Sequence, residues 1–279
     1  MKKILLSLSM VAAVAVLAVG ATGAFFSDTE TSTGNLFTAG AIDLQIDNES
    51  YVTSTSTGAL VANANTSWSL RDLTIEKFFD FADVKPGDMG EDTISLHVNN
   101  NDSWLCADIT LTSDEENSST EPELSDGDID VASSTVGELS QNINFMWWAD
   151  DGDNVYEEGE VSLPAGNLGQ TGVGATTTIT LADSSNNIWA NATGTPLLGG
   201  DVRYIGKAWC FGSIAPDAVA QDGNGKTGQN GPLVRGTGVS CSGGSALNNM
   251  TQTDSMTADV SFRAVQSRNN AGYLCQQPE

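Results

Sequence analysis

Hydrophobic and polar residues alternate in short runs along most of the chain, which is the pattern of strands that bury one face. In residues 93–98, for example, Ile94, Leu96 and Val98 alternate with polar neighbours. The same alternation predicts strands at 105–111, 143–149, 176–181, 202–211 and 257–265, whereas 136–142 has the pattern of a short helix. About eight amphipathic strands must each bury one face against a second sheet, so the sequence predicts an all-β antiparallel sandwich with at most short helices.

Two long insertions interrupt this pattern. Residues 113–134 are acidic, rich in serine and poor in large apolar side chains, which predicts a solvated insertion. Residues 215–245 form a second stretch of low hydrophobicity. Because neither stretch is long enough to be a domain, we predict a single sandwich domain at 41–279.

The N-terminus has the composition of an export signal. Lys2 and Lys3 precede an apolar run at 4–19, and the small residues Thr22 and Ala24 mark a cleavage position before Phe25. The run has sixteen residues, two of them serines, whereas a membrane-spanning helix needs about 20 apolar residues. We therefore predict that 1–24 is a cleaved signal peptide. The mature protein would then be secreted, extracellular or at the cell surface, without stable membrane insertion.

The mature chain is strongly acidic. The sequence has 11 basic and 36 acidic residues, and loss of Lys2 and Lys3 would leave 9 against 36, a formal charge of −27. Nucleic acid is not an expected partner, because phosphate binding needs clustered basic residues. High net charge alone keeps a secreted protein soluble, so only a cluster of carboxylates would indicate a cation site.

Four cysteines remain after cleavage, and export to an oxidising compartment favours disulfides, for which three pairings are possible. No Cys-x-x-Cys pair occurs, which argues against a thiolate metal site. We predict that Cys210 pairs with Cys241 and Cys106 with Cys275, because this pairing pins the insertion at 215–245 and ties the last strand to an internal one.

The densest chemical cluster lies at 150–160, where six of eleven residues are carboxylates. In an EF-hand-type register with Glu160 at position 12, Asn154 takes position 6, where a left-handed backbone is needed, but position 1 falls on Ala149. Carboxylate crowding favours calcium over a plain acidic hairpin loop. The predicted ligands are Asp150, Asp151, Asp153, the Val155 carbonyl, Glu157 and Glu160. The shorter Asp-x-Asn spacing at Asp222 is interpreted as a turn.

Enzymatic chemistry finds little support in the sequence. Zinc hydrolases hold the metal with two or three histidines, but the chain has one, His97, which alternates with apolar residues on a predicted strand. A serine triad would need the same histidine, and no Gly-x-Ser-x-Gly elbow occurs. Acidic residues are plentiful enough for a glycoside-hydrolysing pair, whose spacing the sequence does not give. We therefore expect a protein that is not an enzyme.

Three short words near the N-terminus carry a family resemblance: Gly23-Ala24-Phe25-Phe26-Ser27-Asp28, Phe37-Thr38-Ala39-Gly40 and Ile42-Asp43-Leu44. In these words the chain resembles the TasA/camelysin family of exported fibre proteins, which are cleaved by a signal peptidase of the SipW kind. The resemblance is specific at residues 15–46 and diffuse elsewhere. It implies a jelly-roll sandwich and a homo-oligomeric fibre, and some relatives have been described as metallopeptidases.

The resemblance also implies how such a fibre would form. Similar proteins use the mature N-terminus as a donor strand, which a neighbouring subunit accepts at an open sheet edge. The candidate here is the extended segment at 25–40, with Phe25, Phe26, Leu36 and Phe37 as apolar anchors; alternatively, the segment folds back onto its own sheet. The leading interpretation is a secreted subunit of a biofilm-matrix or cell-surface fibre, stabilised by calcium.

A calcium-dependent carbohydrate-binding adhesin is the alternative to this interpretation, and a secreted hydrolase is disfavoured. Trp147 and Trp148 must point to opposite faces of their strand, so one would be outward, beside the acidic loop. The outward tryptophan could stack on a sugar ring, or it could pack beneath an insertion.

Overall fold

The computed structural model of the chain describes residues 42–128, 135–190, 194–243 and 247–276. These residues belong to one compact unit, Gly40–Glu279. Strands make up 44% of the structure and helices 9%, and the sheets are antiparallel, so the predicted jelly-roll-like β-sandwich is confirmed as an all-β sandwich. The signal peptide at 1–24, its cleavage site and the segment at 25–40 lie outside the described residues.

The described residues contain twelve strands and three short helices. The strands are β1 (Asp43–Thr53), β2 (Leu60–Ala62), β3 (Trp68–Arg71), β4 (Met89–Asn99), β5 (Ser103–Glu115), β6 (Ile143–Asp150), β7 (Ser162–Asn167), β8 (Thr176–Ala182), β9 (Val202–Phe211), β10 (Ser213–Pro216), β11 (Val239–Ser242) and β12 (Ser255–Gln266). The helices are α1 (Glu121–Asp126), α2 (Leu139–Asn142) and α3 (Pro232–Arg235). None of these helices is long and apolar enough to cross a membrane.

A seven-stranded sheet and a three-stranded sheet face each other across the core. The large sheet has the order β2-β1-β4-β9-β6-β7, with β3 also paired to β1, and the small sheet has the order β12-β5-β8. A separate hairpin joins β10 to β11. Every strand predicted from alternation lies within one of these strands, with β4 extended to Met89 at its start.

One hydrophobic cluster joins the two sheets. The large sheet contributes alternate residues such as Ile94, Phe145 and Ile205, and the small sheet contributes Leu105 and Leu181, all buried. The opposite face of the large sheet carries a second, smaller cluster: Met146, Trp148, Tyr156, Ala208 and Val239. The large sheet is therefore covered on both faces, on one side by the small sheet and on the other by the loops that follow β6 and β9.

A buried ion pair lies within the inter-sheet core. Lys207 of β9 contacts Asp92 of β4, and both side chains are at most 1% exposed. Lys207 Nζ also lies 3.6 Å from the ring centroid of Phe79. Burial lowers the pKa of Lys207 and raises that of Asp92, so desolvation opposes the attraction between them.

Both predicted disulfides are present. Cys106 on β5 pairs with Cys275, with a Cα–Cα distance of 5.7 Å, and Cys210 on β9 pairs with Cys241 on β11 at 5.5 Å. The first bond ties the C-terminal segment to the central strand of the small sheet. The second fixes the β10–β11 hairpin against the large sheet.

The predicted helix at 136–142 is shorter than expected. Gly137 N donates to Asp114 O at 3.0 Å, which pins this part of the chain to β5. Helix α2 begins only after Glu138, where Asp254 Oδ2 accepts from Glu138 N and Leu139 N. Tertiary contacts, which the periodicity could not show, therefore set the start of this helix.

In the described part of the insertion predicted at 113–134, half of the residues are exposed, as expected of a solvated segment, but several carboxylates are buried. Glu116, Glu123 and Asp128 are at most 2% exposed, although the segment is rich in charge. The insertion at 215–245 contains α3 and β11 and covers the outer face of the large sheet.

Candidate metal centre

The acidic loop at 150–160 is held by its own carboxylates. Asp150, at the end of β6, accepts from Trp148 Nε1 at 3.0 Å through Oδ1 and from Gly152 N at 2.9 Å through Oδ2. Asn154 has a φ of 65°, the left-handed conformation expected of it. Both oxygens of Asp150 thus accept from the protein and help to shape the loop.

Arg235 of α3 neutralises a second part of the predicted ligand set. Its Nη1 lies 3.0 Å from Asp153 Oδ2 and 3.1 Å from Asp222 Oδ2, and it also contacts Glu157 Oε1. Asp153 further accepts from Val155 N at 3.0 Å and from Asn230 Nδ2 at 3.2 Å. Asp153 is therefore already supplied with positive charge and donors.

Neither the contact of Arg235 with the acidic loop nor the role of Asp222 was predictable from the sequence. The predicted turn at Asp222 exists, since Asp222 Oδ1 accepts from Asn224 N at 2.7 Å. Its other oxygen, however, points to Arg235. No local sequence pattern predicts this contact, because α3 is far from the acidic loop in the chain and the fold brings them together.

In each of three further carboxylates of the loop, one oxygen has no hydrogen-bond donor or basic group beside it in the described residues. Asp151, Glu157 and Glu160 each place one ligand atom within 4.8 Å of the others. Asp151 Oδ1, Glu157 Oε2 and Glu160 Oε1 are buried and have no hydrogen-bond donor in the described parts of the chain. Buried carboxylate oxygens without donors are unfavourable unless a cation or proton lies between them. This group fits a hard divalent cation, which prefers oxygen ligands.

The pKa values of the loop reflect the same crowding. Burial and the charges of Asp150, Asp151 and Glu157 raise the pKa of Glu160 to about 9, against a hydrogen bond from Glu157 N that lowers it. Burial and neighbouring carboxylates raise the pKa of Asp153 to about 7, and burial raises that of Asp150 to about 6. The carboxyl groups of the loop therefore lose their protons at a higher pH than ordinary carboxyl groups do.

A cleft of about 590 Å³ leads to these carboxylates. Asp151 and Glu160 line it together with Trp189, Arg203 and Tyr204. The cleft therefore borders two of the three carboxylates, whereas Glu157 lies fully buried behind them. The predicted backbone ligand, Val155, is fully buried within the loop.

His97 and Trp148, two other residues singled out in the sequence, both lie on strands of the large sheet. His97 lies on β4 with Nε2 3.5 Å from Asp47 Oδ2 on the neighbouring strand. Trp148 is fully buried on the outer face of the large sheet and packs against Tyr156, with 5.7 Å between ring centroids. The tryptophan expected to face outward thus lies beneath an insertion and cannot stack on a sugar.

Comparison of the chain with protein-family models and with curated proteins gives no match.

Proposed function

We propose that this protein is a secreted structural subunit of a biofilm-matrix or cell-surface fibre, polymerising by donor-strand complementation and stabilised by calcium. One observation supports it above the others: the small sheet is too narrow to cover the large one. Along the edge of β8 an apolar groove of about 500 Å³ opens between the sheets. Its lining includes Phe79, Phe145, Trp147, Leu163, Leu168 and Ile179.

Strand β8 has the features of an acceptor edge. It pairs with β5 on one side. On the other side the described chain bonds to it only at its end, where Ala182 bridges to Asn187 and Ile188 N donates to Leu181 O at 3.0 Å. The Thr178 carbonyl accepts from the Gln276 side chain at 3.2 Å, a contact that an incoming strand could replace. An added strand would form backbone hydrogen bonds along the rest of β8, at 176–180, and place alternate side chains in the groove.

The proposed occupant is the segment at 25–37 of a second copy of the chain. It has adjacent apolar pairs at each end, Phe25 with Phe26 and Leu36 with Phe37, separated by polar residues. Because side chains of a strand alternate, one member of each pair would enter the groove. A contact that joins the start of one subunit to a groove of the next does not close on itself, so it extends into a fibre.

Calcium would serve such a fibre as a structural cross-link. The three carboxylates Asp151, Glu157 and Glu160 belong to one loop. The insertion at 215–245 reaches this loop through Arg235, which contacts Glu157, and through Asp222, which lies beside Glu157. A cation at the three carboxylates would therefore stabilise the loops that cover the outer face of the large sheet. Both disulfides are consistent with an extracellular location.

The experiment compares the mature protein with a form lacking 25–37 and with a groove variant, Leu163→Lys. We expect filaments by electron microscopy from the mature protein only. A peptide of 25–37 should raise the melting temperature of the truncated form, because it fills the groove. Leu198→Lys is the matched control, since Leu198 is 56% exposed and does not line the groove.

Filaments from the truncated protein would rule out donor-strand exchange. If the truncated form unfolds and the peptide does not restore it, the segment is an ordinary first strand of its own subunit. Equal loss of assembly in Leu163→Lys and Leu198→Lys would show that added charge, and not the groove, is responsible.

A carbohydrate-binding adhesin remains the second candidate because of Trp189. This half-buried side chain lines the cleft beside Asp151 and Glu160, and its Nε1 donates to Tyr204 O at 2.7 Å. A fixed aromatic ring beside a cation is a suitable platform for a sugar. Glycan binding that requires calcium and is lost in Trp189→Ala would favour the adhesin. If the protein binds no glycan, the fibre is favoured.

A further inference from the structure

A second group of carboxylates lies at the far end of β5, away from the acidic loop. Glu116 directly follows β5, Glu123 lies on α1 and Asp128 follows this helix. One ligand atom from each of these three lies within 4.8 Å of the others. Glu116 forms a second such group with Glu138 and Asp254, so it is common to both.

Glu116 is buried without a donor. It is 1% exposed, and within the described ranges neither Oε1 nor Oε2 accepts from an N–H or O–H group; the side chain within hydrogen-bonding reach is another carboxylate, Asp254. The charged groups that act on it, Asp254, Asp128 and Glu123, are all carboxylates. This situation differs from the acidic loop, where Arg235 supplies a positive charge.

Hydrogen bonds from the protein hold two of the surrounding carboxylates in place. Glu123 Oε2 accepts from Thr120 N, and Oε1 accepts from Thr253 Oγ1 at 3.3 Å. Asp254 Oδ2 accepts from Glu138 N at 2.7 Å, which leaves the buried Oδ1 without a donor. The group is therefore a preformed set of oxygens and not a flexible acidic surface.

We propose that Glu116, Glu123, Asp128, Glu138 and Asp254 form a second site for a hard divalent cation, calcium in the first instance, with Glu116 as the shared ligand. All the available ligand atoms are carboxylate oxygens, which suit calcium and similar hard cations rather than zinc or copper. A bound cation would replace the missing donors of Glu116. It would also tie the end of β5 to α1, to the start of α2 and to the start of β12.

The competing explanation is a shared proton. Burial and the charges of Asp254, Asp128 and Glu123 raise the pKa of Glu116 to about 7, so a proton could lie between two of these carboxylates. A proton-sharing pair would bind no cation. Cation binding at alkaline pH therefore separates the two explanations.

The experiment measures calcium stoichiometry of the full mature chain at pH 8 by titration calorimetry after chelator treatment. The variant Glu160→Gln serves as the background, so that binding at the acidic loop does not contribute. We expect it to retain calcium, and Glu116→Gln in this background to lose it. Glu115→Gln is the matched control, because Glu115 precedes Glu116 and belongs to neither carboxylate group.

A second measurement covers the possibility that Glu116→Gln does not fold. Hydrogen exchange of residues 116–128 is compared in the Glu160→Gln background with calcium and with chelator. We expect calcium to slow exchange in this segment at least tenfold. Unchanged exchange together with no calcium uptake in the Glu160→Gln background would overturn the site. Equal calcium binding by folded Glu116→Gln and Glu115→Gln would overturn it as well.

Discussion

Arg235 Nη1 lies 3.0 Å from Asp153 Oδ2, joining residues 82 positions apart in the chain. The EF-hand-type register assigns Asp153 to a cation, but the fold supplies it with an arginine. Glu157 belongs to both groups: its Oε1 contacts Arg235, its Oε2 is buried without a donor in the described residues, and one of its oxygens lies within 4.8 Å of ligand atoms of Asp151 and Glu160. The acidic loop therefore contains one carboxylate group that contacts Arg235 and one whose buried oxygens have no donor in the described residues.

We expect calcium to stabilise the protein through Asp151, Glu157 and Glu160. At a free concentration one hundred times Kd, one site adds about 2.7 kcal/mol. Melting curves with calcium and with chelator should differ by several degrees, and Glu160→Gln should remove the difference. Glu158→Gln, an exposed neighbour, should keep it. Loss of the response in Asp153→Asn but not in Glu160→Gln would place the cation elsewhere.

Arg235→Gln should destabilise the chelator-treated protein by about 2–3 kcal/mol, because Asp153 and Glu157 lose a charged donor while buried. The measurement is urea denaturation in chelator. Added calcium should recover part of the loss, since it supplies charge to the shared Glu157. Arg71→Gln removes the contacts of an exposed arginine with Glu76 and Ser69 and should have little effect. An equal effect from both variants would contradict this account.

Stability of the chelator-treated protein should fall as pH rises from about 5 to about 9. The pKa of Glu160 is raised to about 9 and that of Asp153 to about 7, so the folded state binds more protons than the unfolded state across this window. Under this condition the free energy of unfolding decreases with pH. Denaturation at pH 5, 7 and 9 tests the slope, which should be shallower in Glu160→Gln. A rising slope would show that these carboxyls are not crowded.

Lys207→Met should cost about 3–5 kcal/mol, because it leaves Asp92 charged and unpaired in the core. The double variant Lys207→Met/Asp92→Leu should recover most of this loss, since two apolar residues replace the buried pair. Urea denaturation of the single and double variants gives the comparison. A double variant as unstable as the single one would mean that packing around Phe79 requires the lysine itself.

The strand pattern could be predicted because each strand buries alternate residues in a core that is mostly apolar. The alternation at 105–111, for instance, directly reflects the burial of Leu105, Ala107 and Ile109. Lys207 alternates with Ile205 and Trp209 on β9, so the pattern places it on the core face, but a charged residue there is not expected to be fully buried. Its burial is matched by Asp92, its partner on the adjacent strand.

Of the two carboxylate groups, one could be predicted from the sequence and the other could not. The loop at 150–160 is visible because its ligands are close in sequence. Glu116 and Asp254, by contrast, are far apart in the chain and come together where β5 and β12 pair, with Glu115 opposite Ser255. A segment rich in Asp, Glu and Ser suggests solvent, and its buried carboxylates become apparent only when the strands are aligned.

The position of β1 has a mechanical consequence. In a fibre joined through residues 25–37, tension would enter each subunit at Asp43, the first residue of β1. Strand β1 pairs with β4 from Asp43 to Val52, and β4 pairs in turn with β9 from Met89 to His97. A pull along β1 would load these ladders in shear, so their hydrogen bonds resist together instead of breaking one after another. The subunit would thus be anchored where it bears the greatest load.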